Sequence, residues 1–217
     1  MKAEFFHVLT GRVQPFRGTI ETSAIGKQPV EGRIKVNRLG LEGDEQADLV
    51  NHGGAEKAVH HYPLEHYHYW RERLGPLELL SGAGAFGENI STIGMIEDAV
   101  CIGDRFRMGT TLLEVSQGRQ PCWKLDHRFG MKGVTAAVVS NGLAGWYYRV
   151  LEPGTIEAGD VVELVDRTHP TWTVARVFGL IISGHGKTDQ ESLRALHGVK
   201  ALAENWKRRV ENMIFTP

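Results

Sequence analysis

The 217-residue chain has little of what marks several protein classes. Its two cysteines, Cys101 and Cys122, are too few for a disulfide framework in a chain of this length, so each thiol needs its own explanation. It has no excess charge of either sign: 25 Lys and Arg stand against 26 Asp and Glu, net −1 with His neutral, so no whole-molecule positive field gathers nucleic acid or an anionic membrane. Any anion site must be local. The longest strongly apolar stretches, such as residues 177–182, fall far short of the roughly 20 residues a membrane helix needs. The start, Met1-Lys2-Ala3-Glu4, lacks the apolar region of a signal peptide, and the expected location is the cytoplasm. What remains is ordinary globular composition, 41% hydrophobic and 24% charged, in a chain long enough for a sizeable core.

Glycine is over-used, 26 in all against a usual share of about 7%, and the glycines separate short runs of strand-like alternation. Residues 99–117 show this best. Val100 and Ile102 lead to Gly103-Asp104, Phe106 and Met108 alternate, Gly109-Thr110 turns, and Leu113 and Val115 resume the period of two, which predicts a β-hairpin. Val161, Val162 and Leu164 after Gly159-Asp160 predict another strand, and residues 5–13 and 32–36 two more. No regular strand–helix alternation occurs. The expected fold is therefore α+β, mainly β with helices, with the strands rolled into a β-barrel rather than laid out as a parallel sheet.

Pro63 opens a helix with Leu64, Tyr67, Trp70 and Leu74 on one face, and Gly75-Pro76 stops it. Residues 135–150 read as a second helical stretch, weakened by Gly142 and Gly145 and ended by Pro153-Gly154. After Arg167 the period turns helical. Val174, Val177, Phe178 and Ile181 share a face, Asp189 or Ser192 caps a short helix through Leu196, and Val199, Leu202, Trp206, Val210 and Met213 recur at three and four. The expected division is a β-barrel domain over residues 1–169 and a helical domain over 170–217, whose three short helices must pack on the barrel or on one another.

Two segments carry chemistry. In the first, Gly43-Asp44-Glu45-Gln46-Ala47-Asp48 runs into Asn51-His52-Gly53-Gly54 and Lys57-Ala58-Val59-His60. Close glycine backbone, a helix start expected soon after, and His52, Lys57 and His60 as cationic donors suit an anion cradle as well as they suit a solvated turn. Asp44 is expected to organise this loop. His52, His60, His61, His66 and His68 lack HExxH or CxxC spacing and rank low as a zinc site. In the second, residues 116–124, Cys122 stands between Arg119 and Lys124, cations that favour thiolate, the form that attacks electrophiles or binds soft metals. A buried filler is the equal alternative. Cys101, inside Val100-Cys101-Ile102, is expected to be buried and inert. Glu88 and Asn89 on a Gly turn, and Lys27 in a turn-rich stretch, are weak signals alone.

The ordered segments Ser23-Ala24-Ile25 with Lys27 and Pro29-Val30, Gly40-Leu41-Glu42-Gly43-Asp44, His52-Gly53-Gly54, Lys57-Ala58-Val59, His61-Tyr62-Pro63 with Glu65-His66-Tyr67, Phe86-Gly87-Glu88-Asn89, Ile102-Gly103-Asp104, and Arg119 with Pro121-Cys122 resemble the MOSC family. This is the domain related to the C-terminal part of molybdenum cofactor sulfurases, and the likeness is to its stand-alone bacterial members. The resemblance implies a pyruvate-kinase-like β-barrel with a small C-terminal three-helix appendage. It implies a pterin-based molybdenum cofactor (molybdopterin) with Cys122 as the metal ligand. Catalytic roles fall to Cys122, Lys27 and His60, and cofactor contacts to His52, Gly53, Lys57, Glu88, Asn89 and Arg119, with roles among the basic residues interchangeable.

The implied activity is reduction of N-hydroxylated compounds, such as 6-N-hydroxylaminopurine, to amines. No iron–sulfur cysteine cluster is present and no GxGxxG stands between a strand and a helix, so electrons are expected from a separate reductase. The expected partner is a small molecule rather than nucleic acid or a membrane, and a homodimer is compatible with the sequence. Two other roles fit the same resemblance: a sulfur-transfer protein carrying a persulfide on Cys122, or a non-catalytic carrier of the cofactor.

Overall fold

The computed structural model describes residues 2–16, 18–48 and 53–215. Eight strands share its main sheet: Lys2–Thr10 (β1), Gln28–Pro29 (β2), Val59–His61 (β3), Ile90–Thr92 (β4), Arg105–Met108 (β5), Thr111–Gly118 (β6), Trp146–Glu152 (β7) and Val161–Asp166 (β8). Their order is β8-β5-β6-β7-β3-β4-β1-β2, and β1 also pairs with β8. The β3–β4 pairing is parallel and the others are antiparallel, so the sheet is mixed. The predicted hairpin is β5–β6, turning at Gly109, whose φ of 53° lies in the left-handed region that favours glycine. Val100 and Ile102 are buried but precede the hairpin as loop, and Cys101 makes only an isolated bridge to Thr173.

Two small sheets lie beside the main sheet, one of Gly154–Ile156, Ile34–Asn37 and Gly40–Leu41 and one of Gln14–Pro15 and Thr22–Ser23, and the described residues form six α-helices: His66–Leu74 (α1), Lys124–Phe129 (α2), Val134–Asn141 (α3), Val174–Ile181 (α4), Gln190–His197 (α5) and Glu204–Phe215 (α6). The stretch 135–150 is not one helix. α3 stops at Gly142, whose φ of 73° makes a left-handed cap, and the chain turns through Gly145 into β7. There Trp146, Tyr148 and Val150 are buried while Tyr147 and Arg149 are half-buried, a period of two that places one set of side chains in the core.

The C-terminal helices close tightly on the sheet. A Cβ on Gly118, at the end of β6, would lie 3.0 Å from the Trp206 ring and 3.4 Å from that of Phe178, so the missing side chain is what admits α4 and α6. Sheet and helices consequently share one continuous core, in which Val115 and Trp146 join Phe178, Leu193 and Trp206. Asp189 caps α5 as expected, accepting from the Ser192 N–H at 3.0 Å. α6 begins only at Glu204, leaving Val199 and Leu202 buried in the preceding turn. The result is a mixed α+β fold with a large mixed sheet. Among the described residues no helix is long and apolar enough to cross a membrane.

Candidate functional site

A cleft with about 630 Å³ of open space, continuous with solvent, gathers Lys27, Lys57, His60, Asn89, Arg119 and Cys122 from distant parts of the chain. His60 sits on β3, Arg119 just beyond β6, and Cys122 in the loop entering α2. Lys124 and Tyr147 line the cleft as well, and Glu45 and Asp48 bring negative charge from the loop at 43–48. Cys122 is half-buried, and its carbonyl accepts from the Leu125 N–H and the Thr135 hydroxyl, both at 3.0 Å, which fixes the loop against α2 and α3. Neither cysteine is in a disulfide. Cys101 is buried, donates weakly to the Pro170 carbonyl at 3.5 Å, and has its thiol pKa raised by burial and then by Asp104, as suits an inert residue.

Arg119 is buried with its charge only partly matched. Its backbone N–H donates to the Gly145 carbonyl at 3.0 Å and Nη2 to the Phe86 carbonyl at 3.4 Å, while buried Nη1 has no hydrogen-bond partner. A buried donor without an acceptor costs about 1–3 kcal/mol, more when charged, and an anionic ligand would relieve that cost.

His60 departs from the cationic role expected of it. Burial above all, then the neighbouring Arg119 charge, holds its pKa well below the usual imidazole value, so the ring is neutral. It hydrogen-bonds the Gly87 backbone, and Nε2 is left buried without a partner. Lys57 is half-buried, and burial lowers its pKa against the opposing pull of Asp48.

Lys27 is engaged by Asp44, which also accepts from the Gly11 N–H at 2.8 Å and Asn89 Nδ2 at 2.9 Å. Asp44 thus organises its loop, as expected. Asn89 is similarly committed: Oδ1 takes the His60 N–H at 3.0 Å and Nδ2 also reaches the Leu9 carbonyl. Glu88, expected as a cofactor contact, does not line the cleft. Its fully buried carboxylate takes the N–H groups of Gly84 and Phe86 and the Tyr67 hydroxyl, which makes it the organiser of the 84–88 turn.

Gly53 is buried, and His52 lies outside the described residues. No helix starts directly behind this loop: a single 3-10 turn, Ala55–Lys57, leads into β3, and α1 begins only afterwards. The remaining histidines point elsewhere. His61 bonds the Tyr148 and Thr92 hydroxyls, His66 pairs with Glu97 at 2.6 Å, and His68 meets Glu72 at the surface. Among the described residues no group of three or more His, Cys, Asp or Glu side chains is placed to hold a metal ion.

Tyr147 is the site residue that sequence reasoning missed. Its ring lies 5.0 Å from that of His60, and its phenol interacts with Arg119 and senses Cys122. Burial raises its pKa, so the phenol keeps its proton. The alternation of buried Trp146, Tyr148 and Val150 around it was the available signal.

The MOSC domain model matches residues 48–163, and the chain belongs to that family. It is 39% identical over 204 residues to Protein YiiM of Escherichia coli, covering 94% of this chain and 89% of that protein. A protein named Reductase from Gibberella moniliformis is 43% identical over 157 residues, which is 72% of this chain but 28% of that longer protein. The crystal structure of YiiM from Geobacillus stearothermophilus matches with a TM-score of 0.83 at 31% identity, covering 98% of this chain and 99% of that one.

Proposed function

We propose that the chain is a molybdenum-cofactor-dependent reductase of N-hydroxylated compounds, converting a substrate such as 6-N-hydroxylaminopurine to its amine. Two electrons and two protons enter, the N–O bond breaks, and one water leaves. The observation that carries this reading is the thiol of Cys122 in a cleft where the buried Nη1 of Arg119 lacks an acceptor. Membership of the MOSC family and the name Reductase of one relative support the same direction.

The residues present fit such a cofactor. One thiolate suffices for a metal whose other ligands arrive with the pterin, and a phosphate group matches the unpartnered Nη1 of Arg119 and the cationic amines that line the same cleft. Cys122 Sγ would hold the metal. Arg119, Lys57 and Lys124 would meet the phosphate, and His52 and Gly53 stay candidates for it on the family resemblance alone. When bound, molybdenum supplies the electron pair that breaks the N–O bond. Lys27 carries a proton at Nζ that burial makes easier to release, and Asp44 fixes the position of that amine. His60, held neutral, contributes a hydrogen-bonding ring, and Tyr147 keeps a phenolic proton next to Arg119.

Electrons come from a separate reductase, and the reaction takes place on a small molecule in the cytoplasm. The return pairing of β1 with β8 supports reading the sheet as barrel-like, and the family match, which ends at residue 163, leaves residues 170–217 as an appendage that shares its core with the sheet. The test is turnover of 6-N-hydroxylaminopurine with an artificial reductant, using protein from a host that makes molybdopterin. Cys122→Ser should lose nearly all activity. Full activity in that variant overturns the ligand assignment, and a cofactor-loaded but inactive wild type overturns the reductase reading in favour of a carrier.

A further inference from the structure

Glu97 is a buried acid outside the cleft for which the roles above have no use. It follows β4 in the chain, and both of its carboxylate oxygens are engaged. Oε1 accepts the N–H groups of Ala144 at 3.0 Å and Gly145 at 2.7 Å, and Oε2 lies 2.6 Å from Nε2 of His66, the first residue of α1. The Glu97 backbone carbonyl takes the Ala175 N–H of α4 at 3.0 Å, so the acid is itself anchored. Tyr62 holds the same turn a second time, its hydroxyl donating to the Leu143 carbonyl at 3.2 Å.

Gly145 faces two ways. Its N–H goes to Glu97, and its carbonyl takes the backbone N–H of Arg119 at 3.0 Å. Arg119 stands one residue past β6, whose ladder with β7 stops at Gly118 opposite Trp146, so the Gly145 carbonyl is its next main-chain anchor. The turn also leads into β7, and Tyr147, two residues after Gly145, lines the cleft and interacts with Arg119. The far end of the arginine depends on the same neighbourhood: Nη2 donates to the Phe86 carbonyl, and the Phe86 ring stacks on Tyr62 with centroids 4.2 Å apart. A turn centred on glycine has no side chain to pack there, so hydrogen bonds to its backbone set its position.

We infer that Glu97 is a positioning residue for Arg119: by fixing the Ala144–Gly145 turn from behind, it aims the guanidinium at the anionic group bound in the cleft. A carboxylate suits the task because one oxygen serves two N–H groups while the other is tied to His66. This rests on the anion-binding role proposed for Arg119 and adds a residue outside the cleft to what holds the ligand.

Binding of inorganic phosphate to the full chain without its cofactor tests the inference, because it needs neither electrons nor turnover. Dissociation constants are measured by calorimetry at a temperature where melting curves show every variant folded. Glu97→Ala should weaken phosphate by about fivefold or more, the scale of one lost hydrogen bond. Glu97→Gln, whose amide oxygen can still accept from both N–H groups, should stay within about twofold of wild type. His66→Ala breaks the same buried pair from the other side but leaves the turn gripped, so it should lower the melting temperature and keep phosphate affinity within about twofold. If Glu97→Ala does not fold, Glu97→Asp, whose carboxylate ends a methylene short of the turn, takes its place with an expected loss of about threefold or more. The inference is overturned if the wild type does not bind phosphate, if phosphate ignores Glu97, or if affinity falls equally in the Glu97 and His66 variants, which would make the acid only a brace for the fold. A chain whose phosphate affinity depends on Glu97 but which never reduces an N-hydroxylated compound overturns the catalytic reading and leaves this one standing. Reduction with phosphate affinity indifferent to Glu97 does the reverse.

Discussion

Lys27 and Asp44 form a buried ion pair, with the amine 2.6 Å and 2.5 Å from the two carboxylate oxygens. Only 8% and 2% of the two side chains remain exposed. Through the Gly11 N–H and the Asn89 amide, the same carboxylate ties together the chain beyond β1, the turn carrying Lys27 and the approach to β4. Burial works against the Lys27 ammonium and Asp44 works for it. Asp44→Asn therefore leaves a buried charge unmatched and should cost about 3–5 kcal/mol in urea unfolding. A loss below about 1 kcal/mol would mean that water compensates the amine, contrary to the burial described here.

Acid should destabilise the protein through its buried imidazoles. Burial depresses the His61 pKa to about 3, against about 6.5 in the unfolded chain. The unfolded state then binds the extra proton between those values, so the stabilisation is complete above about pH 6.5 and is lost as pH falls toward 3, up to about 5 kcal/mol from this ring. His60 is shifted in the same direction. The urea midpoint should fall steadily below about pH 6.5, and His61→Gln, whatever its cost at neutral pH, should flatten that dependence. An unchanged slope in the variant contradicts the assignment.

Gly145→Ala should be severely destabilising although it adds one methyl group. The new Cβ would stand 2.2 Å from the His61 carbonyl oxygen, at a φ of 70°. Its backbone is also committed, with the N–H donated to Glu97 and the carbonyl taken by the Arg119 N–H. The expected loss exceeds about 2 kcal/mol by thermal or urea unfolding. A near-neutral variant would show that this turn is looser than described.

The two cysteines should behave oppositely. Cys101→Ser places a hydroxyl in the core and should cost about 1–3 kcal/mol while leaving turnover near normal. Cys122→Ser, at a half-buried loop position, should stay within about 1 kcal/mol of wild type in stability while turnover collapses. Parallel urea melts and reductase assays separate them, and equal loss of activity in both variants contradicts the assignment.

Part of this architecture was legible in the sequence because it depends on neighbours. The β5–β6 hairpin follows from alternation around Gly109, and the α5 cap from Asp189 three residues before Ser192. β7 was misread because helix and strand meet with only Gly142-Leu143-Ala144-Gly145 between them, and no proline marks the change. Tyr147 was lost with that strand. Glu88 looked like a ligand group in its short motif, since the Tyr67 hydroxyl and the N–H groups of the 84–88 turn that consume its carboxylate are visible only in the fold. The neutrality of His60 likewise depends on burial and on Arg119, which is far away in sequence. That residues as distant as Lys27 and Cys122 share one cleft came from family resemblance, because no local spacing encodes it.

The most direct test of the central claim is the molybdenum and molybdopterin content of protein purified gently from a host that makes the cofactor. Wild type and Cys101→Ser should both carry the metal with its pterin, and Cys122→Ser should carry little or none. Cys122→Ser protein holding as much molybdenum as wild type would contradict the account.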